Sequence, residues 1–465
     1  MSRPSTSTPF SSVGLRIQHI RKNRGHFVKL TLKSRLFIDI GQVWAATLVA
    51  NVLIYLFQMI AARGLGPQEY GLFGALMGIV YLAGGVSNAV GTSVAKLVSM
   101  SVAKSDKENT GPLITSAFLQ LAALGIICLA VFLPIAPFIA SYLQSDRLAP
   151  IMAVGIAIFF SLLMPVAIGA LQGTQRFTPY SAVTLSHAGV RLALGFVVLA
   201  FGWGLLGMMG AVTGSILIAT LVGIAIVRPP FRLSLKGLGR STLAKAFIPI
   251  LVGSMAVSFP TSIDVVLVRH FFPEADAGLY AGAAILGRIV LFVSLAISLV
   301  LFPKFVNDRI NGNTGHALLY KGLGITALFS GGVALVFAML PRLALRLLLG
   351  SEYVDASGLV PLYSAAMCSF ALASVFLYYY LAVQPRIYLY ALFVPHLLLE
   401  LIFMYVFHQS TSQIILVMLA GNTSLFLTSF ILLRFTNFGI RDGRSIMRGK
   451  SSIDVPEELL NIGGE

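Results

Sequence analysis

The stretch Met59–Leu76, MIAARGLGPQEYGLFGAL, lies between two long apolar runs and sets an arginine, a Gly-Leu-Gly-Pro run, an acid and Tyr-Gly at one turn. A related stretch, Leu267–Ala284, LVRHFFPEADAGLYAGAA, follows in the second half of the chain. Arg63, Pro67 and Gly71-Leu72-Phe73 correspond to Arg269, Pro273 and Gly278-Leu279-Tyr280, at offsets of 206 to 207. The correspondence continues outward. Leu133-Pro134 matches Leu340-Pro341 at 207, Ser145-Asp146 matches Ser351-Glu352 at 206, and Gln175 and His187 match Gln384 and His396 at 209. Each pair alone is weak, but a near-constant offset over this span reads as an internal duplication.

What surrounds these turns is apolar. Of the 465 residues 57% are hydrophobic and 11% charged, with a mean hydropathy of +0.88. A soluble domain cannot hide that much apolar surface. A helix crosses the hydrocarbon with about 20 apolar residues. Twelve such runs are present, at 38–62, 72–95, 113–133, 149–171, 180–201, 205–227, 245–268, 278–302, 317–339, 359–382, 387–406 and 413–435. The pattern weakens at Pro134, Pro137, Pro150 and the Gly202–Gly204 gap. Membrane strands would alternate over about 10 residues, so the expected fold class is an all-α polytopic membrane protein of about twelve transmembrane helices.

Charge orients it. Assigning the N-terminus to the cytoplasm puts 25 of the 33 Lys and Arg in cytoplasmic segments. Five fall outside (Arg63, Arg147, Arg269, Arg342, Arg346), and Arg191, Arg288 and Lys321 remain within spans. That bias follows the positive-inside rule and returns both termini to the cytoplasm. The formal net charge of +16 is therefore mostly topological, and no basic folded module for nucleic acid is visible.

Six runs per half mean that both halves enter the membrane in the same direction, with a substrate path where they meet. The expected organisation is a basic tail at 1–37, a first lobe at 38–227, a cytoplasmic linker at 228–244, a second lobe at 245–435 and a tail at 436–465. Gly74 and Gly78, and Gly210 and Gly214, are spaced for close helix contact. Cys128 and Cys368 fall inside predicted spans and form no disulfide or metal-ligand pattern.

An ion placed centrally in lipid is a functional hypothesis by default. Arg191, Arg288 and Glu400 fall near mid-bilayer, and Asp264 nearer the outer end of its run. The offset of 209 places Arg191 on Glu400, each one turn after a histidine (His187 and His396). Were these charges to look onto a water-filled seam, Arg191 and Arg288, with His187, would hold an anionic group. Glu400 with His396 would exchange a proton or cation, imidazole titrating near neutrality. Asp264 precedes Arg269 by the spacing that separates Gln58 from Arg63, so a polar position recurs there and suits an outer gate. Tyr55, Tyr81, Tyr378, Tyr379, Tyr380 and Tyr390 offer faces for sugar stacking or interfacial anchoring. A phosphate-binding Gly-x-x-x-x-Gly-Lys-Ser/Thr loop and a Ser/His/Asp set are absent, and the expectation is a non-enzyme without cofactor or metal.

These residues carry a resemblance. ARGLGPQEYGLF (Ala62–Phe73), ALQGTQRFTPYSAV (Ala170–Val183) and IDVVLVRHFFPEADAGLYAGAAIL (Ile263–Leu286) followed by LFPKF resemble the polysaccharide (Wzx-like) flippases. These belong to the multidrug/oligosaccharidyl-lipid/polysaccharide exporter superfamily, and the similarity runs from about Leu30 to Phe435. The resemblance implies two six-helix lobes around a V-shaped cavity, alternating access, and a polyprenyl-diphosphate-linked sugar unit as cargo. It also implies membrane lipids, a polysaccharide polymerase and glycosyltransferases as partners, and a place in the cell membrane. Coupling to H⁺ or Na⁺ would run through Glu400, His396 and Asp264. The rival readings are a cation-coupled multidrug antiporter of the same architecture and a membrane glycan polymerase or transferase.

Overall fold

The structure, a computed structural model, describes residues 11–103, 107–229, 240–310, 313–383 and 392–446. The start of the basic tail, linker residues 230–239, Gln384, Arg386, Tyr390 and residues 447–465 lie outside the described residues. The helices are α1 (Ser11–Ala103), α2 (Lys107–Tyr142), α3 (Leu148–Gly173), α4 (Phe177–Phe201), α5 (Gly204–Val227), α6 (Arg240–Ser258) and α7 (Ile263–Phe271). They continue with α8 (Glu274–Ile310), α9 (His316–Met339), α10 (Pro341–Leu348), a 3₁₀ segment (Ser351–Gly358), α11 (Leu359–Val383), α12 (Val394–Val406) and α13 (Thr411–Ile446). Among the described residues there is no strand, and the helices satisfy their backbone groups within each segment, one of the two solutions lipid allows.

Nine of these helices are long and apolar enough to cross a membrane, or ten if the pair Ile250–Ser258 and Ile263–Phe271, bent by 48°, is one span. Two of the expected twelve runs are not counted separately among the described residues. The first two runs share α1, whose helical dihedrals break only at Gly66 (φ 67, ψ 169). Glycine alone adopts that backbone without strain, and Pro67 follows it. Residues 387–391 of the run 387–406 lie outside the described residues, and α12 covers Val394–Val406 of it. The prolines behave differently from the expectation as well. Pro134 and Pro137 do not end α2, which continues to Tyr142. The split at Gly202 is real: it closes α4 in the left-handed conformation (φ 65).

The chain packs as two compact units. The first takes residues up to Gly64 with Val86–Ala140 and Arg147–Leu251; the second takes Leu65–Gly85, Ser141–Asp146 and the residues from Val252 on. In the first unit Val90, Val94 and Val98 of α1 pack with Ile114, Phe118 and Leu121 of α2 and with Leu163, Val166 and Ala170 of α3. A Cβ on Gly173 would lie 2.7 Å from the Ala95 carbonyl, so glycine sets the approach of α3 to α1. In the second unit Phe376, Tyr379 and Tyr380 of α11 are buried against Leu301 and Phe305 of α8, Leu319 of α9 and Leu433 of α13.

The two repeated turns touch each other within the second unit. A Cβ on Gly71 would lie 2.8 Å from the Gly278 nitrogen, and one on Gly74 2.9 Å from the Ala281 Cβ. One on Gly78 would lie 2.8 Å from the Ser262 carbonyl, and one on Gly278 would fall on the Pro67 carbonyl. The duplicated glycines thus let backbone meet backbone, since packing is the main attraction between helices in lipid. Of the second predicted pair, Gly214 approaches Leu194 at 3.3 Å, whereas Gly210 faces open space and makes no such contact. Overpacking at a contact of this kind costs about 1–3 kcal/mol. Gly278→Val should therefore lower the thermal unfolding midpoint of the detergent-solubilised chain while Gly210→Ala leaves it unchanged. Equal midpoints for both would contradict the packing described.

Candidate functional site

Two polar centres are built from the charges that the sequence places in lipid. The first lies in the first unit. Arg191, on α4, is 3% exposed. Its Nε donates to the Ser215 hydroxyl on α5 at 3.2 Å, and its NH2 lies 3.0 Å from His187 Nε2, one turn earlier. Arginine carries no acceptor, so His187 accepts through Nε2 and its ring proton sits on Nδ1. The Ser215 hydroxyl is free to accept because it donates to the Val212 carbonyl at 2.7 Å. The guanidinium also lies 5.9 Å from the Phe57 ring centroid, within cation–π range. Gly195 admits that ring: a Cβ there would lie 2.7 Å from Phe57 Cδ2.

The second centre lies in the second unit, where the chain bends between α6 and α7. Asp264 stands in the first turn of α7 and is fully buried. Backbone N–H groups at a helix start favour an anion there. Its Oδ2 accepts from Tyr363 (2.6 Å, α11) and Tyr280 (3.1 Å, α8), and its Oδ1 lies 3.4 Å from Arg288 NH2 (α8). The Tyr363 ring occupies the space where a Cβ on Gly287 would stand, which brings its hydroxyl within reach. Arg288 is only partly satisfied. Its side chain is 12% exposed and its buried Nε has no hydrogen-bond partner.

The remaining predicted residues separate. Arg269 is buried, with its NH2 donating to the Gln144 carbonyl at 3.1 Å and to Glu274 Oε1 at 2.5 Å. The neighbouring His270 stacks on Tyr142 with ring centroids 3.8 Å apart and bonds its carbonyl at 2.7 Å. Gln58 is buried and Arg63 exposed. Glu400, on α12, is 6% exposed, and its Oε1 has no hydrogen-bond partner. His396 lines the same pocket as Glu400, its Nδ1 lying 3.1 Å from the Leu392 carbonyl.

The expectation set Arg191 and Glu400 toward one water-filled seam as open charges. Arg191 belongs to the first unit and Glu400 to the second, and each is more than nine-tenths buried. A bare guanidinium in lipid is costly, and His187, Ser215 and Phe57 offset that cost for Arg191 locally. Tyr379 and Tyr380 are likewise core residues rather than sugar platforms, bonding the Thr314 and Ser429 carbonyls. Sequence reasoning missed Tyr280, Tyr363 and Ser215. Tyr280 left a signal, since the repeat places it on Phe73 and adds a hydroxyl; Tyr363 left none.

Removing one partner of a buried ion pair costs about 3–5 kcal/mol, whereas replacing both by apolar groups is nearly neutral. Asp264→Ala should thus destabilise the chain strongly in denaturant unfolding, and adding Arg288→Met should restore part of the loss. Losses that simply add would show that the two side chains do not compensate one another.

Comparison with known proteins fits this architecture. An uncharacterized protein of Mycobacterium bovis is 27% identical over 367 residues, covering 72% of this chain and 78% of its own length. An uncharacterized protein of Mycobacterium tuberculosis is 24% identical over 356 residues with the same coverage. Among solved structures, an inward-facing multidrug resistance transporter of the MATE family superposes with a TM-score of 0.70 at 15% identity, over 84% of this chain and 95% of its own. The lipid II flippase MurJ, in an inward closed conformation, gives a TM-score of 0.68 at 15% identity, over 85% and 92%. The fold is that of these transporters. The model of the family described as polysaccharide biosynthesis protein matches residues 60–358, and the chain belongs to that family.

Proposed function

We propose that this chain is a flippase that moves a lipid-linked glycan, a polyprenyl-diphosphate-linked oligosaccharide or polysaccharide intermediate, from the cytoplasmic to the outer leaflet. The family match over 60–358 carries the reading, and the fold shared with a multidrug transporter and a lipid II flippase supports it. The physical need is specific. A hydrated sugar head cannot cross hydrocarbon unaided, so a protein must supply polar surroundings while the lipid tail stays in the bilayer. Rocking of two six-helix lobes, at 38–227 and 245–435, would expose that path to each side in turn. Both termini would face the cytoplasm of a cell-membrane protein working beside glycosyltransferases and a polymerase.

In this reading Arg288 is the first cation offered to the diphosphate. It is the partly exposed member of its centre, its hold on Asp264 is long at 3.4 Å, and its Nε is unpartnered. A phosphate oxygen would meet that Nε, and bidentate contacts of this kind are the strong ones. Arg191 with His187 is the second cation, and anion binding there requires the α4–α5 packing around Ser215 to open. Glu400, His396 and Asp264 would exchange the coupling ion, H⁺ or Na⁺. Gln58, Arg63 and Arg269 flank the turn that acts as a gate, where the repeated glycines meet.

A multidrug antiporter is the second reading, favoured by a largely apolar pocket beside Glu400. The two are separable in cells. Arg288→Gln as the sole copy should cut glycan export about tenfold or more and leave lipid-linked glycan on the cytoplasmic leaflet. Full export by this variant, together with loss of drug efflux in Glu400→Gln, would favour the antiporter.

A further inference from the structure

The chain breaks between α9 and α10 where a span runs out of hydrocarbon, and the break has a local cause. Leu340 precedes a proline, which disfavours helical dihedrals, and it takes φ −129, ψ 47. Pro341 then opens α10, a position where its missing N–H costs nothing. The 24 residues of α9 reach about 36 Å at 1.5 Å per residue, against a hydrocarbon core of about 30 Å. The end of α9 therefore stands at headgroup level, and α10 with it.

The sequence of α10, PRLALRLL, divides it into three faces. Leu345 is buried, as is Leu349 just beyond the helix, and both hold α10 on the 3₁₀ segment and α8. Gly282 of α8 makes the room: a Cβ there would lie 3.2 Å from Leu349 Cδ1. Leu343 and Leu347, four residues apart, are 49% and 63% exposed. Arg342 and Arg346, also four apart, are exposed too, and neither guanidinium has an ion-pair or hydrogen-bond partner among the described residues. At 3.6 residues per turn the leucine pair and the arginine pair stand about 100° apart around the helix. An apolar edge beside a cationic edge suits a helix lying in the membrane interface, with leucines among acyl chains and guanidinium groups at the phosphates.

The duplication isolates this feature. At the offset of 207 that matches Leu133-Pro134 with Leu340-Pro341, Arg342 and Arg346 fall on Ile135 and Ile139. There α2 runs on through Pro134 to Tyr142. The second copy alone carries both the break and the cations. On the orientation proposed above they are two of five cations on the outer side, where sorting by charge does not call for them.

We infer that α10 is a docking site for anionic phospholipid, with Arg342 and Arg346 pairing with headgroup phosphates and Leu343 and Leu347 packing against the acyl chains. Charge complementarity selects this occupant, because basic residues at a membrane surface are drawn to lipids of net negative charge. A soluble anion would leave the two leucines uncovered. The inference does not depend on the cargo, so gain or loss of glycan export bears on the flippase reading and not on this site.

The test reads lipid occupancy at α10. Leu347→Trp is made in the full-length chain with Trp44→Phe and Trp203→Phe, which leaves one indole on the helix. The protein is reconstituted in phosphatidylcholine vesicles containing brominated phosphatidylglycerol or brominated phosphatidylcholine at equal mole fraction, since bromine quenches a nearby indole. The phosphatidylglycerol should quench more. Its preference should fall about fivefold with Arg342→Gln or Arg346→Gln and vanish with both, while the double Arg→Lys variant keeps it. Added salt should weaken it, as it screens exposed charges. Equal quenching by the two lipids before any arginine is changed, or a preference that survives both Arg→Gln substitutions, overturns the inference. Displacement of the lipid by millimolar inorganic phosphate would overturn it too, by marking a site for soluble anions. Thermal unfolding in phosphatidylcholine alone should be the same with and without the arginines, and a lower midpoint without them would assign them to the fold instead.

Discussion

A carboxylate with no exposed surface, Asp264, has to be neutralised inside a medium that offers no water, and much of the second unit is arranged around that requirement. Three helices supply the answer: α7 places the acid at its first turn, α8 brings Tyr280 and Arg288, and α11 brings Tyr363. Each contribution depends on small residues nearby. Gly287 yields its side-chain volume to the Tyr363 ring, and Gly71, Gly74 and Gly78 let the segment after Gly66 lie directly on α8 and the α6–α7 bend. The same solvent that forbids an unpaired charge removes the hydrophobic drive between helices, so charge pairing and close packing share the task of holding the unit together.

That arrangement also gives the centre its character. A buried pair held by good geometry would be a structural lock, but the Arg288 contact is long and one guanidinium nitrogen is unpartnered. On the proposed reading such a cation would gain from a better anion, which a diphosphate would provide. Arg191 differs in kind, with hydrogen bonds to Ser215 and His187 and a ring contact with Phe57 drawn from the helices around it. The two arginines that look alike in sequence are therefore unequal candidates for substrate contact.

Much of the fold was legible because long apolar runs and loop charges are one-dimensional signals. The close helix contact at Gly74 and Gly78 was also readable, from small-residue spacing, and charge in lipid singled out Asp264 and Arg288, which meet in the second unit. Other features were not. The sequence does not show that Pro134 and Pro137 are absorbed within α2, because a proline in a membrane helix can end it or be tolerated according to what packs around it. Nor does it show that His187 and Ser215 cover Arg191, since Ser215 lies on another helix and rotation about each helix axis is set by packing. The same holds for His396, whose Nδ1 lies within reach of the Leu392 carbonyl one turn back, a contact the four-residue spacing to Glu400 does not announce.

The account stands on the claim that the chain carries a polar glycolipid head across the bilayer. The most direct measurement places the purified wild-type chain in sealed vesicles holding a fluorescent polyprenyl-diphosphate sugar, and follows the fraction reached by a membrane-impermeant quencher. The account expects quenching to rise beyond the half of the lipid already outside, at a rate that grows with protein per vesicle. Quenching that stays at the level of protein-free vesicles, with the chain folded and correctly inserted, would contradict it.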